Sequence, residues 1–183
     1  MANKIVAVVG MCGAGKSVAT SQFVKKGWTR IYFGDVIMNE VLARNLEITE
    51  ANERFVREDL RKSGDLAIYA KKIEPSIREA LKSNNVVVES LYAWSEYKYL
   101  KEIYGNNMQV VAIVADHQLR VDRLKTRDFR PLTEQEVKSR DYSQIENLEQ
   151  GGSIAIADHY IINNACKSSF IKKVNEYIKS FEK

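Results

Sequence analysis

A chain of 183 residues with 45% hydrophobic content can fill one well-packed core and is short for two, so the expectation is a single domain over residues 1–183. The formal net charge of +4 comes from basic residues interspersed with acidic ones, which suits an anionic ligand or an ordinary solvated surface and does not by itself imply nucleic acid, an unexpected partner here. Two distant cysteines, Cys12 and Cys166, and only two histidines exclude a structural zinc site; with no bilayer-spanning apolar run and no leader pattern, the expected location is a reducing cytoplasm.

In chain order, the apolar run Lys4–Val9 reads as a strand buried on both faces and feeds Gly10-Met-Cys-Gly-Ala-Gly-Lys-Ser17. That phrase meets the G-x-x-x-x-G-K-[ST] phosphate-loop pattern at every fixed position. Gly10, Gly13 and Gly15 let successive backbone N–H groups approach phosphate oxygens without side-chain obstruction. Cys12, Ala14 and Val18 complete the nucleotide-binding set, Lys16 supplies charge, and Ser17 supplies a magnesium ligand. A helix starting near Gly15 adds its positive end beneath the phosphates and continues through Val24.

Thr29–Phe33 is a second strand, stopping at Gly34-Asp35 before a helix from Val36 to Arg44. A further helix covers Thr49 to Lys62, with Thr49 as N-cap and Asn52 where a capping box prefers Glu or Gln. Gly64-Asp65 ends it, and Leu66 to Lys82 resumes helical spacing, with Pro75 expected to kink or split the helix. Asn85–Glu89 and Val110–Val114 are buried-strand patterns flanking a helix from Trp94 to Tyr104 that Gly105-Asn106-Asn107 terminates. A helix from Leu119 to Lys125 leads to the charged stretch Arg127–Pro131. A Thr133/Glu136 capping box then opens a helix to Asn147 that Gly151-Gly152 breaks. His159–Asn163 is the last strand and Phe170–Phe181 an amphipathic closing helix.

Alternating strands and helices imply an α/β fold, a parallel sheet covered by helices, with ligands at the carboxyl ends of the strands. Asp35, Glu89, Asp116 and Asn163 all fall at such ends. Asp35 either accepts a proton from, or orients, an acceptor hydroxyl, or caps the following helix. Glu89 ends a Walker B-like strand and either orients a magnesium-bound water or satisfies backbone donors. Arg120, Arg123 and Arg127 share a face at i, i+3 and i+7, which suits a lid closing over a triphosphate or a solvated helix surface. Arg54, Arg57 and Arg61 repeat that spacing and suit an acceptor's phosphate or an open surface. Tyr92 and Trp94 either stack on a ring or pack.

The phrases Val8-Val9-Gly10-Met11 through Ser17, Gly34-Asp35-Val36, Asp59-Leu60-Arg61, Val86-Val87-Val88, Arg140-Asp141 and Ala157–Asn163 resemble, in order and spacing, the small-molecule kinases of the adenylate kinase and dephospho-coenzyme A kinase superfamily. The most similar group is the dephospho-coenzyme A kinase-like (nucleotide kinase-like) family. The resemblance implies a three-layer phosphate-loop NTPase fold: a five-stranded parallel sheet with helices on both faces, a helical acceptor-binding segment over 36–84 and a lid-like segment over 125–150. It also implies ATP with magnesium as cofactor and a nucleotide-like acceptor, either a nucleoside monophosphate or dephospho-coenzyme A. By the same resemblance Asp35 and Arg61 face the acceptor, Arg127 and Arg140 reach the phosphates with Arg140 on the acceptor side, and Arg123 lies against adenine with Asn163 at its edge. This chain carries Glu89-Ser90-Leu91-Tyr92-Ala93-Trp94 where relatives carry Asp-Gly and a nearby arginine. The competing functional class is a nucleotide-dependent switch or slow NTPase acting through a protein partner, against which stand the absence of an N-K-x-D guanine-reading motif and the arginines available in cis.

Overall fold

The computed structural model describes residues 3–62, 64–128 and 131–181, without the side chains of Glu50, Arg54, Arg57, Glu58 and Arg61. The elements follow in the order β1 (Ile5–Val9), α1 (Lys16–Lys25), β2 (Thr29–Tyr32), α2 (Gly34–Ala43), α3 (Glu50–Arg61), α4 (Ile68–Ala80), β3 (Val86–Glu89) and α5 (Trp94–Tyr104). After a 3-10 turn at Gly105–Asn107 come β4 (Met108–Val114), α6 (His117–Thr126), α7 (Glu134–Glu146), α8 (Gln150–Ala155), β5 (His159–Ile162) and α9 (Lys167–Lys179). All five strands are parallel, in the order β2-β3-β1-β4-β5, and helices cover both faces.

The two-residue period of the strands divides the core. Ile5, Ala7, Val9, Val86, Val88, Val110 and Ala112 meet Tyr69, Ile73 and Ile77 of α4 and Leu100 of α5 on one face. Val6, Val8, Val87, Val111 and Ile113 meet Phe23 of α1 and Phe170, Val174 and Ile178 of α9 on the other. The central strands are buried on both faces, which is why they read as unbroken apolar runs. The register sets Glu89 opposite Val8, one residue below the end of β1, so the carboxyl end of β3 stands beside the phosphate loop.

Several boundaries differ from the sequence expectation. Pro75 neither splits α4 nor ends it; the buried face of Tyr69, Ala70, Ile73 and Ile77 holds the helix together, and the hydrogen bond lost at Pro75 falls on the carbonyl of exposed Lys71. Gly151 and Gly152 do not break a helix but lie inside α8, where Gly152 backs onto the Trp94 ring. The turn between α7 and α8 instead occurs at Glu149, a non-glycine residue in left-handed backbone with φ 52°. Asn52 donates its side-chain amide to the Glu47 carbonyl, while its backbone N–H bonds Thr49 Oγ1, so Thr49 caps α3 alone. Thr133 and Glu136 form the expected capping box on α7. Among the described residues no helix is long and apolar enough to cross a membrane.

Candidate active site

The phosphate loop leaves β1 and enters α1 through three left-handed glycines, Gly10 at φ 137°, Gly13 at 80° and Gly15 at 109°. A side chain at Gly10 would run into the Ile113 carbonyl of β4, and one at Gly13 would stand 2.9 Å from the Arg120 carbonyl. Glycine is therefore required there by packing as well as by φ.

Lys16 opens α1 and folds back over the loop. Its buried ammonium donates to the carbonyls of Gly10 (2.7 Å) and Met11 (3.0 Å) and lies 5.5 Å from the Tyr92 ring centroid. Burial pushes its pKa down to about 8, opposed by Cys12 and Glu89 and assisted by the nearby charges of Arg140 and Arg120. Ser17 is exposed in the first turn of α1, and Val18 is half-buried against the α1/α9 core.

On the β2/β3 side, Glu89 is buried and ion-paired with Arg30 at 2.6 Å, and Arg30 in turn lies 4.7 Å from the Tyr32 ring centroid. This partner is missing from the sequence reading of Glu89, although a signal exists: strand alternation puts Arg30 and Tyr32 on one face of β2, and parallel register puts Glu89 beside them. Beyond Glu89, buried Ser90 adopts φ 70°, strained for a residue with a side chain, and turns Tyr92 toward Lys16. Burial raises the phenol pKa of both Tyr92 and Tyr32. Asp35 does not cap its helix: α2 begins at Gly34 with Phe33 as N-cap, and Asp35 stands exposed in the first turn. It lines a cleft of about 380 Å³ with Tyr32, Asn39, Glu40, Lys72 and Ser76. The side chain of Arg61 lies outside the described residues.

On the α6/α7 side the expected arginine face is not realised, because α6 ends at Thr126 and Arg127 follows in extended backbone, half-buried. Arg120 is a strut: its guanidinium grips both Asp141 oxygens (2.9 and 2.6 Å) and donates to the Cys12 carbonyl at 2.9 Å. Arg123 donates to the Asn163 carbonyl (2.8 Å), and the Asn163 amide donates to the Ala14 carbonyl (2.8 Å), so these two residues do meet beside the loop. Arg140 is exposed on α7, near enough for its charge to act on Lys16 and Tyr92. The loop-holding roles of Asp141, named in the sequence only within the Arg140-Asp141 phrase, and of Gln150 escaped the sequence reading because each acts through a contact between distant segments.

The chain's residues 6–159 match the model of the AAA domain family. A UPF0200 protein of Thermococcus gammatolerans is 32% identical over 178 residues, covering 95% of this chain and 93% of that protein. Among solved structures, TT1252 from Thermus thermophilus superposes with a TM-score of 0.69 at 17% identity, covering 98% of each chain. A shikimate kinase from Bacteroides thetaiotaomicron gives 0.62 at 12% identity, covering 96% of this chain and 98% of that one. The architecture is thus the α/β phosphate-loop NTPase fold, shared with a small-molecule kinase. The chain belongs to the AAA domain family and to the UPF0200 proteins.

Proposed function

We propose that the protein is a magnesium- and ATP-dependent kinase that phosphorylates a nucleotide or nucleotide-like small molecule, of the nucleoside monophosphate or dephospho-coenzyme A type. The observation that carries this reading is Lys16, buried under the glycine loop and bonded to the Gly10 and Met11 carbonyls, with exposed Arg140 of the same chain near enough for its charge to act on it. A site that carries its cations in cis needs no protein partner to stabilise a transferring phosphoryl group. The donor set fits a triphosphate: loop amides and Lys16 take the phosphates, and exposed Ser17 would hold the magnesium that neutralises their charge. Arg127 belongs to the same phosphate-facing group, and Arg123 with Asn163 forms the base side.

The acceptor enters over the carboxyl ends of β2 and β3, between Tyr92, Glu89 and the α2–α4 segment of residues 36–84, with Arg61 and Arg140 on its anionic part. For a hydroxyl acceptor, Asp35 takes the proton as the oxygen–phosphorus bond forms and the bond to the departing ADP breaks. Residues 125–150 close over the donor as a lid. One functional unit spans residues 1–183, located in the cytoplasm.

The test is acceptor-dependent ADP formation across a panel of nucleoside monophosphates and dephospho-coenzyme A. Turnover with one of them, lost in Lys16→Ala, is the expected outcome. Tight ATP binding with no turnover on any of them would overturn the kinase reading in favour of a nucleotide switch.

A further inference from the structure

The Gly10 carbonyl, at the first turn of the phosphate loop, receives two donors: the Lys16 ammonium at 2.7 Å and the side-chain amide of Gln150 at 3.0 Å. Gln150 is fully buried, and its Oε1 has no hydrogen-bond partner among the described residues. Rotating the amide by half a turn would set carbonyl against carbonyl, so this orientation is fixed by Gly10 at the expense of an unsatisfied oxygen. The seat of Gln150 is itself built. Glu149 before it is held in left-handed backbone, the Leu148 carbonyl accepts from Trp94 N–H at 2.9 Å, and Gly152 abuts the Trp94 ring, which stacks on Tyr97.

Lys16 cannot serve both the Gly10 carbonyl and an incoming phosphate equally well, and a buried carbonyl stripped of its donor opposes the exchange. We infer that Gln150 is a positioning residue for nucleotide binding: its amide keeps the Gly10 carbonyl satisfied when the Lys16 ammonium turns to phosphate. Its neighbour in this task is the Arg120–Asp141 strut, which holds the Cys12 carbonyl from α7. Two carbonyls of the loop are thereby held from the segment that follows β4. The inference rests on the proposed nucleotide site.

The experiment is titration of the full-length chain with MgATP at pH 5.5, comparing wild type with Gln150→Met, which keeps length and volume without a donor, and Gln150→Glu, whose buried carboxyl is protonated at that pH and donates through O–H. The expected result is a Kd raised about tenfold to hundredfold in Gln150→Met and held within about threefold of wild type in Gln150→Glu. Thermal unfolding reports whether each variant is folded. A folded Gln150→Met that binds as tightly as wild type overturns the inference, as does a folded Gln150→Glu that binds as weakly as Gln150→Met. If Gln150→Met does not fold, the Gln150→Glu result decides alone. Wild type that fails to bind MgATP overturns the proposed site and this inference with it, whereas wild type that binds while the variants match it overturns the inference alone.

Discussion

Lys16 couples protonation to ligand charge. With its pKa near 8 in the folded protein against 10.5 for the free side chain, Lys16 is charged below about pH 8 and loses its proton above it. A polyanionic ligand favours the charged form, so nucleotide affinity should be level below pH 8 and fall above it, with binding at pH 9 taking up as much as one proton. Calorimetry in buffers of different ionisation enthalpy measures that uptake, and none would contradict the depressed pKa. The unliganded protein responds in the opposite sense. Between pH 8 and 10.5 the unfolded chain holds the Lys16 proton that the folded chain has released, so this residue makes stability rise with pH across that window. Lys16→Met should flatten that part of the difference in denaturation profiles. A second residue-scale expectation concerns Arg120 and Asp141, whose bidentate pair is buried. Asp141→Ala strands the guanidinium and should cost about 3–5 kcal/mol in urea unfolding, and Arg120→Met combined with Asp141→Leu should recover much of it.

At the scale of elements, α8 separates two glycines that look equivalent in sequence. A Cβ on Gly152 would sit 2.9 Å from Trp94 Cε3, whereas one on Gly151 meets nothing within 4 Å. Gly151→Ala should therefore stabilise by about 0.5–1 kcal/mol through helix propensity. Gly152→Ala should destabilise by about 1–3 kcal/mol through overpacking against a ring already stacked on Tyr97. Opposite shifts in Tm would confirm the placement of α8, and equal shifts would refute it. The same contact logic explains why Pro75 leaves α4 whole: a helix held by its buried stripe tolerates one missing hydrogen bond on its wet side.

The whole molecule is a parallel sheet with its candidate chemistry gathered at the carboxyl ends of the strands and a large apolar cluster on each face. Phe170 joins that core to the site, because it is buried against the second cluster and its ring lies 3.4 Å from where a Gly15 side chain would begin. Phe170→Ala should lower stability by about 3–5 kcal/mol and weaken nucleotide binding together, measured by unfolding and titration on one preparation. A loss of stability with unchanged affinity would separate core from loop.

The sequence alone determined the strands, because burial on both faces demands unbroken apolar runs in β1, β3 and β4, and it determined the phosphate loop, because glycine spacing and Lys16 carry that geometry locally. The capping box at Thr133 and Glu136 was legible for the same reason, spanning four residues. Only the tertiary structure decided what Arg30, Arg120, Asp141 and Gln150 do, since their partners lie 59, 21, 21 and 140 residues away. It also decided that Gly151 and Gly152 stay helical, an outcome set by neighbours such as Trp94. Short-range periodicity records which face a residue occupies; long-range register and helix packing decide which group it finds there.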